Sequence, residues 1–211
     1  MTTRVSPDTP DLSDSERDAQ TRNRLLRSAV QIFDRKGYSA ASVREIAEMA
    51  GVTKPALYYH FGSKEGLLVT ILNEAAQEFE RVIARAAGHA GTARQRLLNA
   101  SEDVYGMFSQ HVPVVRVAHT VFLGPRDVAP TFDLTVFERG WRLALQRIVD
   151  DGKAAGEFRA GAASADVAMA VMGIVETAAE RQLHPDFEPI SMDMLRRMLN
   201  LLLDGVLTER A

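Results

Sequence analysis

The chain has 211 residues, of which 46% are hydrophobic and 25% are charged, and its formal net charge is −3 at pH 7. This composition is typical of a soluble globular protein that builds one large core or two modest ones. The lack of cysteine excludes disulfides, thiolate metal sites and cysteine nucleophiles. The sequence contains neither a run of ~18 apolar residues that could span a membrane nor an apolar signal region at its N-terminus, so we expect a cytoplasmic protein.

Charge is distributed unevenly along the sequence. Residues 17–66 contain nine basic and five acidic side chains, a net charge of +4, whereas residues 67–211 sum to −4. A basic module joined to an acidic one is expected of a nucleic-acid reader attached to a sensor domain. Chance scatter of charge would give the same asymmetry, so the charge alone does not identify a nucleic-acid-binding domain.

The first part of the chain predicts an arm followed by a helix. Residues 1–17 are rich in Ser, Thr, Pro and Asp and predict a disordered N-terminal arm. From about Asp18 to Lys36 the apolar residues keep helical spacing, and Gly37 is a suitable helix end. We expect this first helix to cover the buried face of the two helices that follow.

Residues 42–64 predict two short helices joined by a tight turn. Ser42 and Glu45 form an S-x-x-E capping box at the start of the first helix. Gly51 follows that helix where a residue with positive φ is favoured, and Thr53 is placed to cap the second helix. The pattern is typical of a helix-turn-helix, which lays its second helix in the DNA major groove.

The run TKPALYYHFGSKEGLL, preceded by SVREIAEMAGV, resembles the DNA-binding domain of the TetR family of bacterial transcriptional regulators. The resemblance is specific over about residues 20–70 and fades to a helical pattern beyond them. It implies a homodimer with a divergent helical ligand-binding domain. It also implies that the protein represses transcription from a DNA operator until a small-molecule effector releases it.

Most predicted DNA contacts lie on or beside the second helix of this motif. The full set is Ser42, Arg44, Thr53, Lys54, Pro55, Ala56, Tyr58, Tyr59, His60 and Lys64. The first two begin the preceding helix, where they can touch phosphate. Lys54 can pair with guanine O6 and N7, while Thr53, Pro55 and Ala56 can press on a thymine methyl group. Thr53 is alternatively only a helix cap.

The resemblance further implies that Tyr58, Tyr59 and Lys64 clamp the phosphate backbone. Because Tyr58, Tyr59 and His60 are consecutive on a helix, one of them must pack inward. The alternative for Tyr58 is a place in the core. His60 is expected either to read a base or phosphate or to be solvated.

The remaining sequence predicts a second, all-helical domain over residues 67–211, and the motif occupies a first domain over residues 18–66. A long fourth helix, capped by Ser63, should run to about Ala87 and span roughly 35 Å. We expect it to connect the two domains and to act as the lever between the effector site and DNA. Five more helices are predicted at about 92–110, 113–123, 128–154, 163–183 and 191–208.

Two features of this second domain indicate its partners. Its last two helices are too apolar to be buried in one core, which favours a four-helix bundle between two subunits over ordinary packing within one chain. Polar groups also lie near large apolar side chains, which is the pattern of a small-molecule pocket. The predicted ligand contacts are Tyr105, Phe108, His111, His119, Phe122, Phe137, Trp141, Met172 and Glu176.

Glu176 stands out among these residues because a carboxylate on an apolar helix needs a partner. A cationic ligand, Arg181 or an arginine of the second subunit could supply it. For each predicted ligand contact, packing in the core is the alternative.

Nothing in the sequence favours an enzyme, a metal site or a cofactor. The five histidines show no metal-ligand spacing, and no nucleophile elbow, Walker loop or dinucleotide fingerprint is present. The sequence therefore predicts an all-α protein in which a three-helix helix-turn-helix domain is joined by a long helix to a helical ligand-binding and dimerisation domain. Its predicted partners are double-stranded DNA, a second copy of itself and a small-molecule effector. The alternative is a helical small-molecule-binding or adaptor protein that does not bind DNA.

Overall fold

The structure is a computed structural model that describes residues 13–123, 135–184 and 186–206. In these ranges the chain forms nine α-helices, which confirms the predicted all-α class. They are α1 (Asp14–Lys36), α2 (Val43–Ala50), α3 (Lys54–Phe61), α4 (Lys64–Ala87), α5 (Ala93–Gln110), α6 (Val112–Leu123), α7 (Thr135–Ala154), α8 (Ser164–Leu183) and α9 (Met192–Asp204).

Helix α1 begins at Asp14, earlier than the predicted start near Asp18. The Ser13 hydroxyl accepts a hydrogen bond from the Glu16 backbone N–H at 3.3 Å, and the Glu16 carboxylate accepts one from the Ser13 backbone N–H at 2.8 Å. This capping box satisfies two backbone donors of the first turn. The disordered arm predicted for residues 1–17 therefore extends too far at its C-terminal end, and its residues 1–12 lie outside the described ranges.

The chain divides into two compact units, Met1–Leu68 and Val69–Ala211. The N-terminal unit consists, in its described part, of α1, α2, α3 and the first residues of α4. Its core is formed by apolar side chains at helical spacing: Leu25, Leu26, Ala29, Ile32, Phe33, Ile46, Ala47, Ala50, Leu57, Phe61, Leu67 and Leu68. The functions predicted for the two domains stay predictions.

Helix α4 begins in close contact with the end of α3. The Ser63 hydroxyl accepts a hydrogen bond from the Gly66 backbone N–H at 2.9 Å, which confirms Ser63 as the cap of α4. A Cβ atom added to Gly66 would lie 2.1 Å from the carbonyl oxygen of Phe61. Glycine is therefore required at this position to let the two helices approach.

The C-terminal unit has its own core, to which α4, α5, α7, α8 and α9 contribute. The fully buried side chains include Leu97, Leu145, Ile148, Met172 and Phe158. Ion pairs join the surfaces of α5 and α9, because Arg94 contacts Asp204 and Arg196 donates to Glu102 at 2.9 Å. None of the helices in the described ranges is long and apolar enough to cross a membrane.

Helices α8 and α9 also expose apolar side chains. Met169 on α8 and Met194 on α9 are largely exposed, and Leu201 on α9 is 77% exposed. The opposite faces of both helices are buried in the core of the C-terminal unit. The two helices therefore carry more apolar surface than this core covers.

Candidate DNA interface

The N-terminal end of α3 is open to solvent. The Thr53 hydroxyl accepts a hydrogen bond from the Ala56 backbone N–H at 3.4 Å, so Thr53 serves as a helix cap. Pro55 lies in the first turn, where its missing N–H is tolerated. Thr53, Lys54 and Pro55 are exposed and Ala56 is half-buried, so none of these four residues belongs to the core.

In the middle of α3, some aromatic side chains are exposed and others pack inward. Leu57 is fully buried, whereas Tyr58 is 50% and Tyr59 80% exposed, so the core alternative for Tyr58 is wrong. His60 is the residue of the three that packs inward. Its side chain is only 6% exposed, and its Nε2 atom lies 3.6 Å from a carboxylate oxygen of Asp18 on α1. The prediction of a DNA-reading or solvated His60 is therefore wrong, because the side chain lies on the same face of α3 as Leu57.

The ammonium group of Lys64 is held by the backbone. Its Nζ atom donates to the carbonyl oxygens of Tyr38 and Ala41 at 3.0 Å each and lies 3.5 Å from that of Ser39. It also lies 4.4 Å from the centroid of the Tyr38 ring. Burial, together with the Glu65 carboxylate, raises the pKa of the Tyr38 hydroxyl, so the ring stays neutral. Since an ammonium has three donors, these contacts occupy the donors that the predicted role of Lys64 as a phosphate clamp would use.

The start of α2 is fixed by the predicted capping box. The Ser42 hydroxyl accepts from the Glu45 backbone N–H at 3.2 Å, and the Ser42 backbone N–H donates to the Glu45 carboxylate at 3.1 Å. Glu45 also forms an ion pair with Lys36. The hydrogen bond from Lys36, followed by those from Ser42, lowers the pKa of Glu45 to about 2. Ser42 is thus exposed but engaged, and a phosphate would share its hydroxyl with Glu45.

Arg44 lies beside this cap on the exposed side of α2. Its Nε atom is 3.6 Å from a carboxylate oxygen of Glu48, and both side chains are mostly exposed. Exposed ion pairs contribute little to stability. Arg44 can therefore exchange Glu48 for a DNA phosphate at small cost.

Five of the nine predicted ligand contacts are core residues of the C-terminal unit or their neighbours. They are Tyr105, Phe108, Phe137, Trp141 and Met172, which lie in the apolar core or pack against it. Phe79 of α4 joins them, because its ring centroid lies 5.9 Å from that of Phe108 and 5.5 Å from that of Phe137. The sequence indicated Phe79 only as a core residue, since nothing local shows that rings from three helices meet.

The polar groups of this cluster differ in their hydrogen bonding. The Tyr105 hydroxyl donates to the carbonyl oxygen of Ile190. Trp141 is 3% exposed, and its indole N–H finds no hydrogen-bond acceptor among the described residues. A buried donor of this kind favours a ligand that brings an acceptor. The side chain of Phe122 lies outside the described residues.

The three remaining predicted ligand contacts lie apart from this core cluster. His111 is exposed at the end of α5, and His119 is half-buried on α6. Glu176 is on the exposed face of α8, where partial burial and then the nearby Glu138 carboxylate raise its pKa. Arg181 instead donates from Nε to the carbonyl oxygen of Glu188 at 3.2 Å. Their placement favours surface roles over the ligand contacts predicted for them.

Within the described ranges no group of three or more His, Cys, Asp or Glu side chains is placed to hold a metal ion. The arrangement that stands out in the N-terminal unit is instead a short helix with an exposed lysine and two exposed tyrosines. Such side chains donate readily to phosphate oxygens and to base edges.

A sequence profile described as "Bacterial regulatory proteins, tetR family" matches residues 25–71, which include α2 and α3. The N-terminal unit therefore carries the sequence pattern of the TetR family of bacterial transcriptional regulators. The repressor KstR2 of Mycolicibacterium smegmatis is 29% identical over 162 residues, 74% of this chain and 73% of that protein. The activator FasR of the same organism is 37% identical over 92 residues, 44% of this chain and 42% of FasR.

The fold of the chain also matches solved structures. The regulator PfmR of Thermus thermophilus aligns with a TM-score of 0.72 and 26% identity, over 89% of this chain and all of that one. Among the curated relatives, FasR and YttP of Bacillus subtilis are matched over less than half of their lengths. The family resemblance expected from the helix-turn-helix residues is confirmed.

Proposed function

We propose that this protein is a homodimeric transcriptional repressor that binds a palindromic DNA operator and is released from it by a small-molecule effector. The observation that carries the proposal is the outward face of α3, where Lys54, Tyr58 and Tyr59 are exposed beside the open helix start. Two relatives support repression over activation, since KstR and KstR2 are repressors. A third relative, FasR, is an activator. Such a protein acts in the cytoplasm.

The proposed DNA contacts follow from exposure and chemistry. Lys54 reads a base, with help from the apolar surfaces around it, and Tyr58, Tyr59 and Arg44 contact phosphates. Two recognition helices, one from each subunit, then read half-sites about one helical turn (10–10.5 base pairs) or a multiple of it apart. Because phosphate contacts release counterions, affinity should fall steeply as salt rises.

The proposed dimer is formed through α8 and α9. Their exposed apolar side chains, Met169, Met194 and Leu201, are the type of surface that a second copy covers in a symmetric interface. An interface of this kind makes the operator and the dimer share a two-fold axis.

The proposed effector site is the part of the C-terminal core where the rings of Phe79, Phe108 and Phe137 pack together and where Trp141 is also buried. A suitable ligand is apolar, so that it packs against Phe108 and Phe137, and carries an acceptor for the indole N–H of Trp141. The ligand can shift the protein away from the operator-binding form only by its differential affinity for the two forms, on the order of 1–3 kcal/mol of coupling. Helix α4, which is continuous across the division between the two units, is the proposed lever.

The proposal is tested by selecting duplexes from a random pool with the purified full chain, followed by titration of the selected duplex. We expect an enriched sequence with two-fold symmetry and one dimer bound per symmetric site. A promoter carrying that site should be silenced when the protein is produced. Failure to enrich any sequence would favour the adaptor that does not touch DNA, and induction of the promoter would make the protein an activator.

A further inference from the structure

We propose that Lys64 is a positioning residue of the DNA-contacting surface, which holds the connection between α1 and α2 so that the start of α2 stays in place beside α3. The proposal rests on the function proposed above. It assigns to Lys64 an effect on DNA binding that acts through Ser42 and Arg44 and involves no contact with phosphate.

Carbonyl oxygens of the connection between α1 and α2 surround the Lys64 ammonium. The connection runs from Gly37, which ends α1, to Ser42, which caps α2. Three of its carbonyl oxygens, those of Tyr38, Ser39 and Ala41, converge on the Lys64 ammonium. Backbone carbonyls outside helices need partners; the Lys64 ammonium contacts all three of these, and the Tyr38 carbonyl also accepts from the Ala41 backbone N–H at 3.3 Å.

Lys64 occupies the first position of α4. A positive charge at a helix N-terminus is opposed by the helix dipole, so a lysine there needs compensation. The carbonyl oxygens and the face of the Tyr38 ring, 4.4 Å from Nζ, provide negative potential on the other side of the ammonium. The position is therefore explained by the contacts within the N-terminal unit.

Lys64 extends from a junction of α3 and α4 that is held by close contacts. The close approach at Gly66 and the cap at Ser63 fix the start of α4 against the end of α3. The Lys64 side chain then joins this α3–α4 junction to the connection that precedes Ser42. The Lys64 ammonium thus fixes the position of the start of α2 relative to α3. These two helices carry the proposed DNA contacts.

The experiment compares Lys64→Met, which keeps the aliphatic stem but removes the ammonium, with the control Lys54→Met on the exposed start of α3. The full chain is titrated with the duplex selected by the wild-type protein, at several salt concentrations and at a temperature where circular dichroism shows each variant fully folded. Hydrogen exchange is measured for the amides of residues 38–45 without DNA.

We expect Lys64→Met to weaken binding on the order of tenfold, as the loss of charge-assisted hydrogen bonds that order a binding surface would, with the salt slope unchanged. Exchange in residues 38–45 should become faster. Lys54→Met, which removes a proposed base contact, should weaken binding and relax the base preference at one position, and it should leave that exchange unchanged.

A flattened salt slope with unchanged exchange for Lys64→Met would overturn the proposal in favour of a phosphate contact. Unchanged affinity of the fully folded variant would also overturn it, because Lys64 would then serve stability alone. If Lys64→Met does not fold, Lys64→Arg serves instead. A phosphate contact tolerates that change, whereas a planar guanidinium cannot aim three donors at three converging carbonyls, and binding should weaken.

A wild-type chain that binds no duplex would refute the proposed function separately. The exchange measurement would still decide whether the ammonium holds the connection between α1 and α2.

Discussion

Lys54 and Lys64 lie at the starts of successive helices, yet their surroundings differ completely. Lys54 is exposed at the start of α3, whereas three carbonyl oxygens surround the ammonium of Lys64. At the residue scale, the function of a basic side chain in this unit depends on whether acceptors within the protein already bind it. A count of basic residues therefore overstates the number of groups available to DNA.

Lys54→Ala should change which base the protein prefers. If Lys54 pairs with a guanine, its removal should cost about 1–3 kcal/mol at that base pair and relax the preference there. The measurement is a second selection from the random pool, compared position by position with that of the wild type. An equal loss on all sequences, with the preference kept, would show that Lys54 touches only phosphate.

Glu45→Gln should reduce stability in a way that depends on pH. The pKa of Glu45 is lowered to about 2 in the folded chain, from an ordinary value of 4.5, by Lys36 and then Ser42. A lowered pKa means that the ionised carboxylate stabilises the fold above pH 4.5 and that this contribution is lost as the pH falls towards 2.

The measurement is the urea midpoint of both proteins between pH 7 and pH 2. The difference between them should be constant above about pH 4.5 and vanish near pH 2, and added salt should shrink it because the carboxylate is exposed. Glu48→Gln, on the same helix, is the control and should change the midpoint less. A difference independent of pH would contradict the ion pair with Lys36.

At the scale of elements, Gly66→Ala should destabilise the junction of α3 and α4. The added methyl group would lie 2.1 Å from the Phe61 carbonyl oxygen, so the backbone must move, at a cost of about 1–3 kcal/mol or more. The control is Gly106→Ala in α5, where nothing lies within 4 Å of the added Cβ.

That control should raise stability by roughly 0.5–1 kcal/mol, because alanine is the better helix former. Thermal unfolding of both variants is the measurement. Equal effects of the two substitutions would show that the start of α4 can shift without strain.

The elements that sequence predicts well are those with local signals. The cap at Ser42, the left-handed Gly51 and the cap at Thr53 each depend on neighbours within three residues, and the structure has all of them. The same reasoning applied to Ser13 and Glu16 would have found the start of α1, where the polar composition of the first residues was misleading.

The candidate site was harder to predict because burial depends on distant partners. His60 is covered beside Asp18, and Lys64 is held by Tyr38 and Ala41, more than twenty residues away in each case. The resemblance implies a phosphate contact for Lys64, and the sequence left His60 either reading DNA or solvated. The contacts that engage the two side chains come from α1 and from its connection to α2. His111 likewise appears in a pocket pattern but lies exposed at a helix end.

At the scale of the whole molecule, Leu201→Glu should convert the proposed dimer into monomers. Leu201 is 77% exposed on α9, so a glutamate there should not destabilise the single subunit. It should destabilise the dimer, because the second subunit would bury its charge. Leu143→Glu, at an exposed leucine of α7, is the matched control and should leave the dimer intact. Sedimentation equilibrium distinguishes the two, and a dimer that survives Leu201→Glu would place the interface elsewhere.

The chain contains one tryptophan, Trp141, which lies in the core of the C-terminal unit and whose indole N–H has no acceptor among the described residues. Its fluorescence emission therefore reports on a single location in the protein. A compound that accepts a hydrogen bond from the indole N–H should shift the emission maximum to longer wavelength. A compound whose ring absorbs at the emission wavelength should lower the emission intensity by energy transfer. Unlabelled protein can thus be screened optically for effectors, with no DNA in the cuvette.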